Sequence, residues 1–277
     1  MSREILLAAV LLFGSLAAAE SQGLRVEGMK MPIWLDLEEA ESSAKRGLGT
    51  GLGYIDTVLD ELRAQTPGAV TKDPCHHFDV QRLKSFGMVG SDSEILRGGG
   101  LAIVTGTVVG LSHGVFAGSR LAALLEVEVS GLATPGFPAK HDDLAWLQRA
   151  RLDIAEDLNE SGRLWFVHGA VAPLRIQGRL FCQNINDLVA PAEVGDEILI
   201  VPDRAWPTTS GRTLYVADQD LVVLRKAAGG APLVPRSWQR GSLFQLGPGE
   251  GSDLSVLFEK LVRDSGGATT LRKRDND

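Results

Sequence analysis

Past its first nineteen residues the sequence holds no run of ~20 apolar residues without a charge, so nothing later in the chain reads as a membrane span. It has no excess of positive charge either. Lys and Arg number 28 against 35 Asp and Glu, a formal net charge of −7, so the chain as a whole is no electrostatic match for nucleic acid. The one basic cluster, Arg272-Lys273-Arg274, is diluted by Asp275 and Asp277 and reads as a solvated end. Phosphate-binding motifs are missing too. The glycine run from Gly47 to Gly53 precedes a helix-like stretch, where amides can hold an anion. No Gly-Lys-Ser/Thr follows it, however, and it is not G-x-G-x-x-G after a strand, so it reads as a flexible connector. There are no internal repeats. The five tryptophans, among them Trp34, Trp146, Trp165 and Trp238, are scattered. Core or edge packing accounts for them more simply than a carbohydrate platform.

Cysteine is scarce: Cys75 and Cys182 are the only two. In an oxidising compartment a pair favours one disulfide, and two separate buried thiols are the alternative. A Cys75–Cys182 bond would close a loop of about 100 residues and constrain the unfolded chain by on the order of 4–5 kcal/mol.

The start of the chain points to such a compartment. Met1-Ser2-Arg3-Glu4 leads into the apolar run Ile5–Phe13, and small residues ending in Ala17-Ala18-Ala19 precede Glu20. This is the order of a secretory signal peptide over residues 1–19, giving a secreted or periplasmic protein without a membrane span in its mature chain. The remainder, from a sequence 44% hydrophobic and 23% charged, has ordinary globular composition and can bury one or two domains.

Residues 20–97 read as a helical or irregular N-terminal segment. Leu35–Ala40 starts a short helix. Over Tyr54–Gln65, Ile55, Val58, Leu59 and Leu62 fall on one helical face. Asp73–Phe78 reads as loop, and Gly98-Gly99-Gly100 as a boundary. Residues 98–250 change to strands. Leu101–Val109 is apolar on both faces, and Leu121–Val129 alternates with period two. Further strands are expected at Leu164–Val167, Leu174–Cys182, Glu197–Val201, Thr213–Val216 and Leu221–Arg225, with Asp218-Gln219-Asp220 as a hairpin turn between the last two. An amphipathic helix over Asp142–Leu158 interrupts them. Residues 251–277 supply a C-terminal helix, capped by Ser252 or Asp253, and a tail. The fold class is therefore mainly β (α+β): a small closed barrel with a helical insertion and helices at both ends. Asn159-Glu160-Ser161 fits a glycosylation sequon, relevant only to a eukaryotic secretory route.

Two constellations carry possible chemistry. Gly110-Leu111-Ser112-His113-Gly114 matches G-x-S-x-G after a strand, making Ser112 a candidate nucleophile with His168 as its base. The segment after it alternates as a strand where a nucleophile elbow needs a helix, so a glycine-bounded loop joining two strands is the simpler reading. Asp73-Pro74-Cys75-His76-His77-Phe78-Asp79 gathers groups that bind zinc, with His76, His77 and Asp79 as candidate ligands. Adjacent histidines on an extended chain point to opposite sides, and no second ligand set stands at a standard spacing. No cofactor is expected beyond that low-ranking zinc. The His-His-Phe run, with Ser91 and Ser93, resembles secreted bacterial zinc-dependent hydrolases, without counterparts for their other ligands.

Gly106-Thr107-Val108-Val109-Gly110, Leu124–Val129, Cys182, Pro191 and Val194-Gly195-Asp196-Glu197-Ile198-Leu199-Ile200 resemble uncharacterised secreted bacterial proteins with an OB-like barrel. The order of strand, long hairpin, strand and V-G-D-x-I-L is also similar to netrin-like, metalloproteinase-inhibitor-like modules. The likeness covers residues 101–246, about half the chain. It departs at the Asp142–Leu158 helix, and at Glu20 where an inhibitor would present an N-terminal cysteine. It implies a fold and export, and no activity. The expectation is a secreted non-enzymatic module binding a protein or other envelope component. The alternative is a metal-dependent or serine hydrolase using the residues above.

Overall fold

The computed structural model describes residues 34–45, 75–79, 100–117, 120–135, 144–176, 179–184, 190–208, 211–217, 222–234 and 249–272, all within one compact unit, Ile33–Asp277. The expected signal peptide at 1–19, the Gly47–Gly53 run, the helix expected over Tyr54–Gln65 and the turn expected at Asp218–Asp220 lie outside the described residues.

The chain is mainly β with few helices. Its centre is a long antiparallel hairpin of β3 (Ile103–Phe116) and β4 (Arg120–Thr134). β3 is rich in valine and threonine, side chains that suit a pleated surface. The expected loop at Gly110–Gly114 is instead continuous strand. Its glycines serve close approach. A Cβ at Gly110 would stand 2.7 Å from the Glu126 carboxylate, and one at Gly114 would stand 2.7 Å from the Trp34 ring and strike the Leu35 carbonyl. These positions let neighbouring chains lie against β3.

β5 (Arg163–His168) pairs antiparallel with β4, and β8 (Glu197–Ile200) pairs antiparallel with β3. β9 (Arg204–Pro207) pairs with β10 (Thr213–Val216), which runs parallel to β5, and β11 (Val222–Arg225) pairs with β8. The order is β11-β8-β3-β4-β5-β10-β9, with β1 (Trp34–Asp36) added to β3 and β12 (Ala268–Arg272) added to β4. This path has two free ends, so among the described residues the pairing does not form the closed barrel expected from the sequence. One free end is β9, which begins at Arg204; β8, the strand next to the other free end β11, finishes at Ile200, just before it in the chain.

Other expectations need correcting. β10 and β11 do not make a hairpin with each other, because each pairs with a different partner. Leu174–Cys182 is two antiparallel strands, β6 (Leu174–Ile176) and β7 (Arg179–Asn184). The supposed loop around Cys75 is β2 (Cys75–Asp79), parallel to β7. Its polar sequence hides a strand whose partner lies about a hundred residues on. β9 and β12 were not expected: β9 is four residues ending in a proline, which demotes a strand pattern, and β12 is completed by β4, far earlier in the chain.

Inside the sheet sits one large apolar cluster. Val115, Leu121, Leu125, Val127, Leu164, Phe166, Ile198, Ile200 and Tyr215 belong to it. Helices close over it. α1 (Leu37–Lys45) contributes the buried Ala40, and α2 (Leu144–Ser161) contributes Ile154 and Leu158. α3 (Leu254–Asp264) buries Leu254, Leu257, Phe258 and Leu261, a stripe at helical spacing. Asp253 caps α3, its carboxylate accepting from the Ser255 amide at 2.7 Å. Tyr215 donates to Asp157 Oδ2 at 2.6 Å, tying α2 to β10.

The V-G-D-x-I-L segment has a structural origin. Gly195 adopts φ +94°, open to glycine. The buried Asp196 carboxylate accepts from the amides of Glu193 (2.9 Å) and Ala227 (3.0 Å) and from Lys226 Nζ (2.8 Å). It fixes the turn into β8 and staples it to the chain after β11.

Candidate functional site

The sequence pointed first to Ser112 and His168. Strand alternation separates them. Ser112 lies within β3 opposite Leu124, and Leu124 belongs to the outer cluster of the sheet. His168 ends β5 opposite Ala123, which belongs to the inner cluster. Side chains of successive residues point to opposite faces, so the hydroxyl and the imidazole are on different sides of the sheet and are not brought together. His168 is 1% exposed, its Nε2 donates to the Ala190 carbonyl at 3.2 Å, and its Nδ1 has no hydrogen-bond partner. Burial pushes its pKa down to about 4, only partly opposed by the Ala190 bond, with Lys226 adding to the lowering. A neutral core imidazole results. His113 shares its row, since both histidines lie opposite Ala123 from either side, and burial lowers its pKa too.

The Cys75–Asp79 segment is organised by β7. Cys75 and Cys182 form a disulfide with Cα atoms 5.8 Å apart, closing a separation of 107 residues. His76 lies opposite Phe181, their ring centroids 5.6 Å apart, while His77 lies opposite Cys182. The two histidines therefore fall on alternate faces of β2. Asp79 lies opposite Asn184. Among the described residues no group of three His, Cys, Asp or Glu is placed to hold a metal ion.

What the sequence reading missed is an aromatic surface. On the outer face of the main sheet, Phe116, Ala122, Leu124, Val167, Leu214 and Val216 form a second buried cluster, and Trp34, Trp165 and Trp206 pack on it half-buried. The register explains the gathering. Trp206 on β9, Leu214 on β10, Trp165 on β5 and Glu126 on β4 stand side by side in one row across four strands. Trp34 comes in from β1 and lies over Gly114, its Nε1 donating to Asp36 Oδ1 at 3.0 Å. With strands ~4.8 Å apart, Trp165 and Trp206 are roughly 10 Å from each other. The only local signal was outward parity: position 165 alternates with inward Leu164 and Phe166.

Charges fringe this surface. Arg163 Nη1 meets Glu126 Oε1 at 2.9 Å. The exposed Arg212 guanidinium sits 4.5 Å from the Trp165 ring centroid. The turn carrying Arg212 is closed by bonds between Thr208 and Arg212: amide to carbonyl at 2.7 Å, hydroxyl to carbonyl at 2.6 Å, and the Arg212 amide to the Thr208 hydroxyl at 3.1 Å. Stacking and turn together hold the cation in place at the edge of an apolar face. No helix of the described residues is long and apolar enough to cross a membrane.

No protein-family model matches the sequence, and no curated protein and no solved structure matches it.

Proposed function

We propose that the protein is a secreted or periplasmic non-enzymatic binding module, and that it contacts a protein or other envelope component through the face bearing Trp34, Trp165 and Trp206. The observation that carries this reading is that face itself. Its apolar cluster is buried beneath half-buried tryptophans, the exposed Arg212 stacks on one of them, and an Arg163–Glu126 ion pair stands beside it. That is the composition of surfaces where proteins bind each other tightly. The disulfide is compatible with an oxidising, extracytoplasmic setting.

We read the scaffold as an OB-like closed barrel. Supporting this, β8 pairs with β3 and β9 pairs with β10, while only Val201–Asp203 separates β8 from β9. Taken as one bent strand, Glu197–Pro207 joins the two ends of β3-β4-β5-β10 into a ring. The parallel pairing of β5 with β10 is the only parallel one that such a ring needs.

The test compares the mature protein with its Trp206→Ala variant as bait for envelope extracts, alongside an assay panel for ester, amide and glycoside hydrolysis. A captured component lost in the variant supports the reading. Turnover of any substrate in the panel, abolished by Ser112→Ala or by chelation, overturns it in favour of the hydrolase.

A further inference from the structure

The outer aromatic face is asymmetric in charge, and this bears on what covers it. Arg163 is matched by Glu126, and Arg225 by Glu197 at 2.7 Å. Arg212 is exposed and stacked on Trp165, and no described carboxylate pairs with it. Stacking removes conformational freedom from a guanidinium while leaving its N–H donors able to bond in the plane of the group. A planar fork of fixed position is suited to a carboxylate that accepts two parallel hydrogen bonds. Next to it stand half-buried aromatic rings: Trp206 is in the same row as Trp165, and Trp34 packs on the same buried cluster.

We propose that this face binds an acidic segment of a partner protein, seating an aspartate or glutamate carboxylate on Arg212 while apolar side chains of the partner cover Trp206 and Trp34. This rests on the binding-module reading and adds the chemistry of the partner. The geometry also gives a direction. Glu126 lies beside Trp165 on the β4 side and already holds Arg163, so the cation there is taken. The acid is directed to the β9–β10 end, where Arg212 stands exposed. The wider charge of −7 disfavours acidic partners elsewhere on the chain, so Arg212 acts as the discriminating contact as well as an anchor.

The probes are short unstructured peptides in which leucine and serine are interspersed with glutamate, with glutamine or with lysine, titrated against the mature, disulfide-bonded protein. The glutamate peptide is expected to bind about tenfold or more tightly than the glutamine one, the value of a charge-assisted contact. Arg212→Glu should reverse the order towards the lysine peptide. Trp206→Ala should weaken the glutamate peptide while preserving its rank. The proposal is overturned if the three peptides bind alike, or if Arg212→Glu leaves their order unchanged. It also falls if vesicles of an anionic phospholipid bind where peptides do not, or if the face is occupied by a second copy, seen as a dimer that Trp206→Ala dissociates. Failure here is separable from failure of the module reading. If the envelope component is still captured and still lost in Trp206→Ala, only the acidic class of partner is wrong.

Discussion

His168 concentrates the electrostatic cost of this core in one side chain. Its ordinary pKa is 6.5 and burial brings it to about 4 in the folded protein. Between those values the unfolded chain binds a proton that the folded one refuses. The stability associated with the neutral imidazole is therefore complete above about pH 6.5 and is lost as pH falls towards about 4. The loss is on the order of 3 kcal/mol. Urea midpoints for wild type and His168→Gln, compared near neutrality and at about pH 4, should show a clearly smaller acid loss in the variant; equal losses would contradict this origin. Tyr215 makes a second single-residue contribution. Burial, then its bond to Asp157, pushes its phenol well above the usual tyrosine range, so it stays a donor at any working pH. Tyr215→Phe leaves the Asp157 carboxylate short of a partner and should cost about 2 kcal/mol in denaturant unfolding. Loss of this bond should appear as faster amide exchange in α2.

At the scale of elements, β1 and α3 show two ways a short segment is held. β1 is three residues long and has little stability of its own. It stays because Gly114 lets Trp34 and the Leu35 carbonyl close on β3. Gly114→Val should force β1 off that edge, costing about 1–3 kcal/mol as overpacking. Hydrogen exchange at the amides of Leu35 and Asp36 reports it, and unchanged protection would show that the glycine is not what admits the strand. α3 is held from its own sequence. Its apolar stripe and its Asp253 cap are both local, and the Ser255 amide and hydroxyl bonds keep the Asp253 carboxyl below the usual carboxylate range. Asp253→Ala should lower stability by about 1 kcal/mol. α3 was legible beforehand, whereas Leu35 and Asp36 read as the start of a helix and are strand, the helix beginning only at Leu37. A cap and a 3.6-residue stripe lie within a dozen residues of each other, whereas the reason for β1 sits on another strand.

At the scale of the whole molecule the disulfide ties the short sheet of β2, β7 and β6 across a separation of 107 residues. Reduction should destabilise the protein by on the order of 4–5 kcal/mol, chiefly by freeing the unfolded chain. Unfolding midpoints with and without reductant, together with a Cys75→Ser/Cys182→Ser variant, measure it. A difference near zero would mean that the unfolded state is already constrained by other contacts.

What the sequence by itself determined is the local pattern. The period-two alternation of Leu121–Val129 specified a strand with an inner and an outer face, the Asp142–Leu158 stretch specified a helix within two or three residues, and the capping pair Ser252–Asp253, of which Asp253 is the cap, specified within a residue where α3 begins. It also narrowed the cysteines to one bond or two thiols. Tertiary structure decided everything that depends on register between distant strands. It set Ser112 and His168 on opposite faces, because one residue of offset inverts a side chain. It made the Cys75 loop a strand by supplying β7 as its parallel neighbour. It gathered Trp34, Trp165 and Trp206, scattered over more than half the chain, into one surface. Periodicity is a property of a dozen residues and survives in the sequence. Which row a side chain occupies is a property of pairings across a hundred or more, and only the folded sheet contains it.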